Sequence, residues 1–208
     1  MSDVGQIPAQ GILPLPVIDA RELDTTRRAT LRPGEPFHDR DGCARMLPKY
    51  FYQVDSWLTA RDTPITEHFA LSEFMGVDVR EARSVRLFPR YIPCAVTLLA
   101  AHLELFRLAV GTLVHVASNG GYRSPSHGLV DHASTHCWAT AVNIYRIGDE
   151  FLDTEEKIEK YAKVAARVSP GFWIRPYGHE RGCADDHLHL DVGYAMLTPR
   201  GRDEYVVR

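Results

Sequence analysis

The chain lacks the features that mark several special classes of protein. No apolar run approaches the roughly 20 residues needed to span a bilayer, and the first 30 residues lack a basic start followed by an apolar stretch. The four cysteines are widely spaced without a Cys-x-x-Cys pair, which excludes a thiol-clustered zinc finger and favours reduced thiols. We therefore expect no membrane span and a cytoplasmic location, unless another route carries the protein outward.

The charge balance also lacks an excess of either sign. The 208 residues contain 24 Lys and Arg against 27 Asp and Glu, a net charge of −3, so no basic field attracts nucleic acid. Apolar residues make up 45% of the chain and charged residues 25%, as in ordinary globular proteins. This length and composition predict one domain, or one domain with an appendage, and no nucleic-acid partner.

The first 65 residues are rich in proline, and helical periodicity is missing from them. Seven of the 13 prolines lie in this part of the chain. Because proline disfavours helix interiors, the pattern predicts a proline-rich N-terminal arm over residues 1–65, followed by a main domain over residues 66–208. A short strand at residues 50–54 indicates that the arm packs on the body. A partly disordered leader up to about Arg40 is the alternative.

The rest of the chain alternates between helical and strand patterns. Apolar residues recur at spacings of three and four from Val96 to Val110, with Pro93 expected in the first turn and Gly111 as the stop. A second amphipathic helix is expected after a capping box at Asp153 and Glu156. Strands are predicted near residues 113–117, 139–145, 172–174 and 187–192. The sequence therefore predicts an α+β fold, with a small, mostly antiparallel sheet packed against two main helices.

Histidine is the unusual component, because seven of the ten histidines fall between residues 115 and 189. In the strand predicted around residue 189, alternation places His187, His189 and Asp191 on one face. Residues i and i+2 of a strand lie about 6.5–7 Å apart, so two imidazoles can reach one metal ion, or one can bind it while the other moves a proton. The alternative is the solvent-exposed face of an edge strand.

Four motifs occur in a defined order. They are Phe69-Ala-Leu-Ser-Glu-Phe74, Gly121-Tyr-Arg-Ser124, the segment from Ser134 to Asn143 with His136, Ala139 and Ala141, and His187-Leu-His189. Together they resemble the zinc D-alanyl-D-alanine carboxypeptidase family, whose fold is shared with hedgehog and lysostaphin-like peptidases. The resemblance covers about residues 66–195. It implies a hedgehog/D-Ala-D-Ala peptidase-like fold and a zinc cofactor.

The resemblance also implies roles for individual residues. His136 and His189 take the places of two zinc ligands, and Asn143 takes the place of the family's carboxylate ligand. His187 takes the place of the catalytic histidine, and Asp186 lies where some relatives carry a glutamate base. A hydrolytic zinc site of this kind needs three protein ligands and one position open to water.

The substrate is expected to contact the Gly-Tyr-Arg-Ser turn. Arg123 takes the place of the group that holds the substrate's carboxylate, with Tyr122 and Ser124 beside it. A planar guanidinium suits this task because it pairs with a carboxylate through two parallel hydrogen bonds.

Two positions depart from the family pattern. Asn143 replaces an aspartate, and Ala139 replaces a glycine. A neutral oxygen donor lowers the affinity expected for zinc. Three alternatives stay open: Asn143 ligates through its carbonyl oxygen, another carboxylate such as Asp131 or Asp185 substitutes, or the site holds no zinc.

The resemblance therefore implies a zinc-dependent peptidase, either a carboxypeptidase or an endopeptidase, with a metal-activated water as the nucleophile. Its expected substrates are short peptides with a free carboxylate, such as peptidoglycan stems of the cell wall. The alternative is a non-catalytic relative that serves as a carboxylate-binding, peptide-binding or assembly module, and Asn143 is the residue that favours it.

Overall fold

The computed structural model describes residues 13–179 and 184–198. Within them the chain forms three antiparallel sheets and five α-helices, so the α+β class is confirmed. The helices are α1 (Thr25–Leu31), α2 (Trp57–Arg61), α3 (Arg83–Arg86), α4 (Val96–Val110) and α5 (Glu155–Val168). The strands are β1 (Val17–Asp19), β2 (Pro36–His38), β3 (Ala44–Met46), β4 (Tyr50–Val54), β5 (Arg90–Pro93), β6 (Val114–Val116), β7 (Ala141–Ile147), β8 (Glu150–Phe151), β9 (Trp173–Ile174) and β10 (Leu188–Asp191).

The largest sheet carries most of the predicted site residues. Its strand order is β6-β7-β10-β9, and β8 pairs with β7 as a short hairpin. In the register between β10 and β7, His189 stands opposite Asn143. Leu188 and Leu190 point to the other face and are completely buried. Because strand side chains alternate between faces, the core fixes which residues of β10 face the site.

The predicted N-terminal arm contains regular structure of its own. Strand β4 coincides with the predicted strand, and it lies between β1 and β5 in a three-stranded sheet. Since β5 belongs to the main domain, this pairing attaches the arm to the body. The expectation that the arm has no helix is wrong, because Asp24 caps α1 and Ser56 caps α2 through their side-chain oxygens.

The two longest helices are α4 and α5, and they pack against each other. Helix α4 ends at Gly111, whose φ of 66° is the left-handed conformation that glycine adopts without strain. Two predicted details are wrong. Pro93 is the last residue of β5, and the cap of α5 is Thr154, whose hydroxyl accepts from the Lys157 amide.

A continuous core joins the sheets to these helices, with Phe51, Phe74, Leu103 and Ile144 among its buried members. A smaller cluster consists of Leu47, Ala133, Cys137 and Trp138, and the last two belong to the 3-10 helix that carries His136. The indole N–H of Trp138 donates to the Met46 carbonyl at 3.0 Å. The N-terminal arm and the segment that carries His136 and Trp138 are therefore packed on each other.

Among the described residues, no helix combines the length and the apolar character needed to cross a bilayer. Cys43, Cys94 and Cys137 are free thiols, while Cys183 lies outside the described residues. Burial raises the pKa of both Cys94 and Cys137 to about 12, so neither is a reactive thiolate at neutral pH.

Candidate functional site

His189, Asn143 and Asp191 form a buried polar group on one face of the largest sheet. Their exposed fractions are 9%, 8% and 6%. Asp191 Oδ2 accepts from His189 Nε2 at 3.1 Å, and Asp191 Oδ1 accepts from the Gly193 amide at 2.8 Å. A carboxylate only accepts hydrogen bonds, so Nε2 of His189 carries a proton. Asp191 thereby sets the tautomer and the orientation of this ring.

The other nitrogen of His189 faces an oxygen. Its Nδ1 lies 2.9 Å from Asn143 Oδ1. With one proton on the ring, at Nε2, two lone pairs face each other at this distance, which is repulsive. A cation bound by both atoms, a second proton at Nδ1, or a rotated Asn143 amide removes the repulsion. Two ligand atoms of one tetrahedral zinc lie about 3.3 Å apart, so the observed separation is close to that of adjacent ligands.

His136 completes the group. It lies in the 3-10 helix Thr135–Trp138 and is 3% exposed. Its Nδ1 donates to the Gly121 carbonyl at 2.7 Å, which leaves Nε2 as the ring's electron-pair donor. The rings of His136 and His189 have centroids 5.2 Å apart, and two imidazoles bound to one tetrahedral zinc have centroids about 5 Å apart. We call His136, Asn143 and His189 the interior trio.

Burial keeps His136 neutral. It holds the pKa of this imidazole well below its usual value, and the charge of Arg123 acts in the same direction. A neutral imidazole with an unprotonated Nε2 is the form that binds metal ions. The backbone bond to Gly121 is of the kind that orients metal-binding histidines.

The donor set therefore offers atom types that zinc takes, and it is poor in charge. Its members are two imidazoles and an amide, all of them uncharged as ligands. The carboxylate that is hydrogen-bonded to a member of the set is Asp191, which contacts His189. Both alternative carboxylates have other partners. Asp131 is 84% exposed and pairs with His132, and Asp185 accepts from the Gly178 amide at 3.1 Å. Of the three alternatives, substitution by another carboxylate finds no support in these placements.

His187 precedes β10 and is held on both sides. Its Nδ1 donates to Asp186 Oδ1 at 2.7 Å, and its Nε2 accepts from Arg175 Nη2 at 3.2 Å. Burial lowers the pKa of His187, although the Asp186 carboxylate opposes this shift. Asp186 is 70% exposed, so it lies on the solvent side of His187. The pair has the form of a neutral imidazole oriented by a carboxylate.

Arg123 reaches the same region from the turn after β6. Two glycines permit this turn, since a Cβ on Gly120 lies 2.8 Å from the Asn143 carbonyl oxygen and one on Gly121 lies 2.3 Å from the Phe74 carbonyl oxygen. The Arg123 amide donates to the His136 carbonyl at 3.3 Å, and its Nε donates to the Asn119 carbonyl. The turn therefore holds Arg123 beside His136.

The two neighbours of Arg123 do not line an open surface. Tyr122 is 6% exposed, packs edge-on against Phe51 and belongs to the main core. Ser124 is fully buried and donates its hydroxyl to Glu81 at 2.6 Å. The expectation that both side chains contact substrate is corrected, because the fold uses them to anchor the turn. Arg123 is the half-buried member of the three.

Ala139 shows what the other departure from the family pattern does. Its φ of 56° lies in the left-handed region, where the Cβ of an L-residue is crowded. A glycine adopts this conformation freely, so the alanine at this position strains the backbone. Ala139 still ends the 3-10 helix that carries His136.

Sequence reasoning left three residues of the site without a role. Asp191 was placed on the correct strand face, and alternation was the signal for it. Trp173 stands opposite Asp191 on β9, is 45% exposed, and has its ring 5.7 Å from that of His189. Arg175, which holds His187, had no signal in the sequence because ordinary loop arginines look the same.

Among the described residues, the group of His, Cys, Asp and Glu side chains that could hold a metal ion lies on the surface and does not include His136 or His189. In the parts of the chain that the structure describes, Glu67, His68 and Glu104 offer three ligand atoms within 4.8 Å of one another. His68 Nδ1 already pairs with Glu104, and the His68 amide donates to the same carboxylate at 3.2 Å. We call these residues the surface trio. The sequence motifs gave no indication of it.

The described cavity lies away from both trios. It has a volume of about 220 Å³ and is lined by residues 48–50, 93–95 and 196–198. None of the predicted site residues borders it.

Comparisons with known proteins add no family assignment. No family model, curated protein or solved structure matches the chain. The hedgehog/D-Ala-D-Ala peptidase-like fold therefore stays an expectation from the ordered motifs.

Proposed function

We propose that the protein is a zinc-dependent peptidase that acts on short peptides with a free carboxylate, with peptidoglycan stem peptides as the expected class. The observation that carries the proposal is the convergence of the interior trio. His136 and His189 are 53 positions apart in the sequence, yet their ring centroids lie 5.2 Å apart. One nitrogen of each ring is held by a hydrogen-bond acceptor. The Gly121 carbonyl holds His136, and the Asp191 carboxylate holds His189.

The interior trio would hold the ion through His136 Nε2, Asn143 Oδ1 and His189 Nδ1. A bound zinc lowers the pKa of a coordinated water towards 7 and polarises a carbonyl oxygen. Asp191 supports this set by holding the proton of His189 on Nε2, so that Nδ1 keeps its lone pair.

The other residues bind the peptide and move its protons. Arg123 binds the terminal carboxylate of the peptide, and this contact fixes the position of the scissile bond. His187, neutral and oriented by Asp186, exchanges a proton with the reacting groups once its Nε2 leaves Arg175. Burial of the trio excludes bulk water and strengthens the effect of these charges.

The experiment combines zinc titration by calorimetry with hydrolysis of a D-Ala-D-Ala-terminated peptide, as the free acid and as its C-terminal amide. We expect zinc uptake and cleavage of the acid. Arg123→Lys lowers the binding and cleavage of the free-acid peptide by about 10-fold or more, because lysine cannot form the two parallel hydrogen bonds to a carboxylate. The same variant leaves the binding and cleavage of the amidated peptide almost unchanged. Arg167→Lys, an exposed position at the end of α5, is the matched control.

One observation favours a second candidate, a carboxylate-binding or peptide-binding module without catalysis. The interior trio contains no charged ligand, and the described carboxylates do not replace the missing one. This candidate predicts that the folded protein takes up no zinc but still binds the free-acid peptide through Arg123. Equal losses for acid and amide in Arg123→Lys would show that Arg123 is structural and would count against both candidates.

A further inference from the structure

A buried carboxylate lies beneath the turn that carries Arg123. Glu81 is 3% exposed and precedes α3. Its Oε2 accepts from the Ser124 amide at 2.9 Å, and its Oε1 accepts from the Ser124 hydroxyl at 2.6 Å and the Ala82 amide at 2.7 Å. Three donors thus converge on one carboxylate, and two of them come from the residue next to Arg123.

Burying a carboxylate is costly, so its surroundings need an explanation. Loss of hydration costs several kcal/mol per ion unless hydrogen bonds and an opposite charge compensate. The buried guanidinium of Arg90 lies close enough for the charge of Glu81 to raise its pKa against the effect of burial, and it donates to the Met75 carbonyl at 2.7 Å. The three hydrogen bonds to Glu81 therefore offset part of the cost of burying its carboxylate.

The turn is attached on every side. The Tyr122 amide donates to the Phe74 carbonyl at 2.8 Å, and the Arg123 amide donates to the His136 carbonyl. Ser124 is the third attachment, through Glu81. Because Tyr122 and Ser124 are both buried, the backbone on either side of Arg123 is clamped, while the Arg123 side chain is half-buried and its Nε donates to the Asn119 carbonyl.

We propose that Glu81 is a positioning residue for carboxylate recognition by Arg123, an inference that rests on the proposed function. Glu81 does not touch the substrate. It holds the backbone of Ser124 and thereby limits the directions that the Arg123 guanidinium samples. Two parallel hydrogen bonds to a carboxylate form only within a narrow range of guanidinium orientations. A looser turn therefore weakens the binding of the terminal carboxylate more than the binding of the rest of the peptide.

The test compares Glu81→Gln and Ser124→Ala with the wild type. Ser124→Ala removes the hydroxyl, which donates to Glu81 and accepts from the Ser126 amide at 3.1 Å, and keeps the bond from the Ser124 amide to Glu81. It therefore remains informative if Glu81→Gln does not fold. Glu150→Gln is the matched control, because Glu150 accepts from Lys160 and Tyr161 beside α5. We expect KM for the free-acid peptide to rise about 10-fold in Glu81→Gln, in line with the loss of charge-assisted hydrogen bonds. The rise in KM is smaller in Ser124→Ala. In both variants, kcat and the KM for the amidated peptide stay within about two-fold of the wild-type values.

A second readout needs no hydrolysis. The Arg123 Nε–H group donates to the Asn119 carbonyl, so its nuclear magnetic resonance signal, assigned with Arg123→Lys, reports the order of the guanidinium. We expect faster motion and faster hydrogen exchange at this group in both variants and no change in Glu150→Gln. If the wild type cleaves no peptide, the proposed function fails, and this signal still decides the role of Glu81.

Two results overturn the proposal. One is an unchanged Arg123 signal in a folded Glu81→Gln protein, which shows that the turn keeps its order without the carboxylate. The other is an equal rise of KM for acid and amide together with a lower kcat, which shows a general distortion of the site.

Discussion

The interior trio and the surface trio gather similar ligand types by opposite means. The surface trio brings two carboxylates to one imidazole near the protein surface, so it is rich in charge and more open to solvent than the interior trio. The interior trio has no charged ligand, but the Gly121 carbonyl and Asp191 orient both of its rings. The contrast separates two contributions to metal binding, namely charge and preorganisation.

The largest effect is expected from His136→Gln. Loss of a direct ligand lowers zinc affinity by at least about 100-fold, because even the loss of an outer partner costs 10–100-fold. His68→Gln in the surface trio leaves the tight binding step unchanged. Calorimetric titration of both variants, with thermal melting as a check of folding, measures the difference. A large loss in His68→Gln alone would move the metal site to the surface trio.

Asp191→Asn sharpens the role of preorganisation. The variant keeps the shape of the side chain but removes the charge that holds the proton on His189 Nε2. We expect zinc affinity to fall by about 10–100-fold, as for other outer partners of metal-bound histidines. Unchanged affinity in a folded variant would show that the Asp191 contact does not support the site.

Asn143→Asp adds the charge that the interior trio lacks. We expect zinc to bind about 10-fold more tightly, equivalent to about 1.4 kcal/mol, because the new oxygen ligand has the same reach and carries a charge. Combining it with Asp191→Asn keeps the number of carboxylates constant and tests whether charge at the ligand replaces charge behind it. Flat or weaker binding in the single variant would show that the site does not use residue 143 as a ligand.

The smallest effect concerns pH and buried histidine. His127 is 1% exposed, accepts from the Leu129 amide at Nδ1, and has a pKa lowered mainly by burial. His127 therefore binds a proton near pH 6.5 in the unfolded chain but only at a lower pH in the folded protein. The free energy of unfolding consequently falls as the pH drops below about 6.5. His127→Gln flattens this fall by at most about 1.4 kcal/mol per pH unit. Denaturant unfolding between pH 7 and 5 measures it, with exposed His68→Gln as the control.

Local patterns in the sequence were sufficient for several elements. The spacing of apolar residues predicted α4, and alternation placed His189 and Asp191 on one face of β10. These signals are local, because they depend on the geometry of a single helix or strand. The strands β1, β2 and β3 and the helices α1 and α2 were missed, since short elements among prolines leave almost no periodic pattern.

The sequence by itself determined the class of fold, the main helices and the ligand types available to the site. Tertiary structure alone decided that the rings of His136 and His189 meet, that Asp191 lies behind His189, and that Tyr122 and Ser124 are buried. These facts depend on strand register and on contacts between residues far apart in the chain. No local pattern encodes such contacts, because they form only when the core selects one packing of all the elements together.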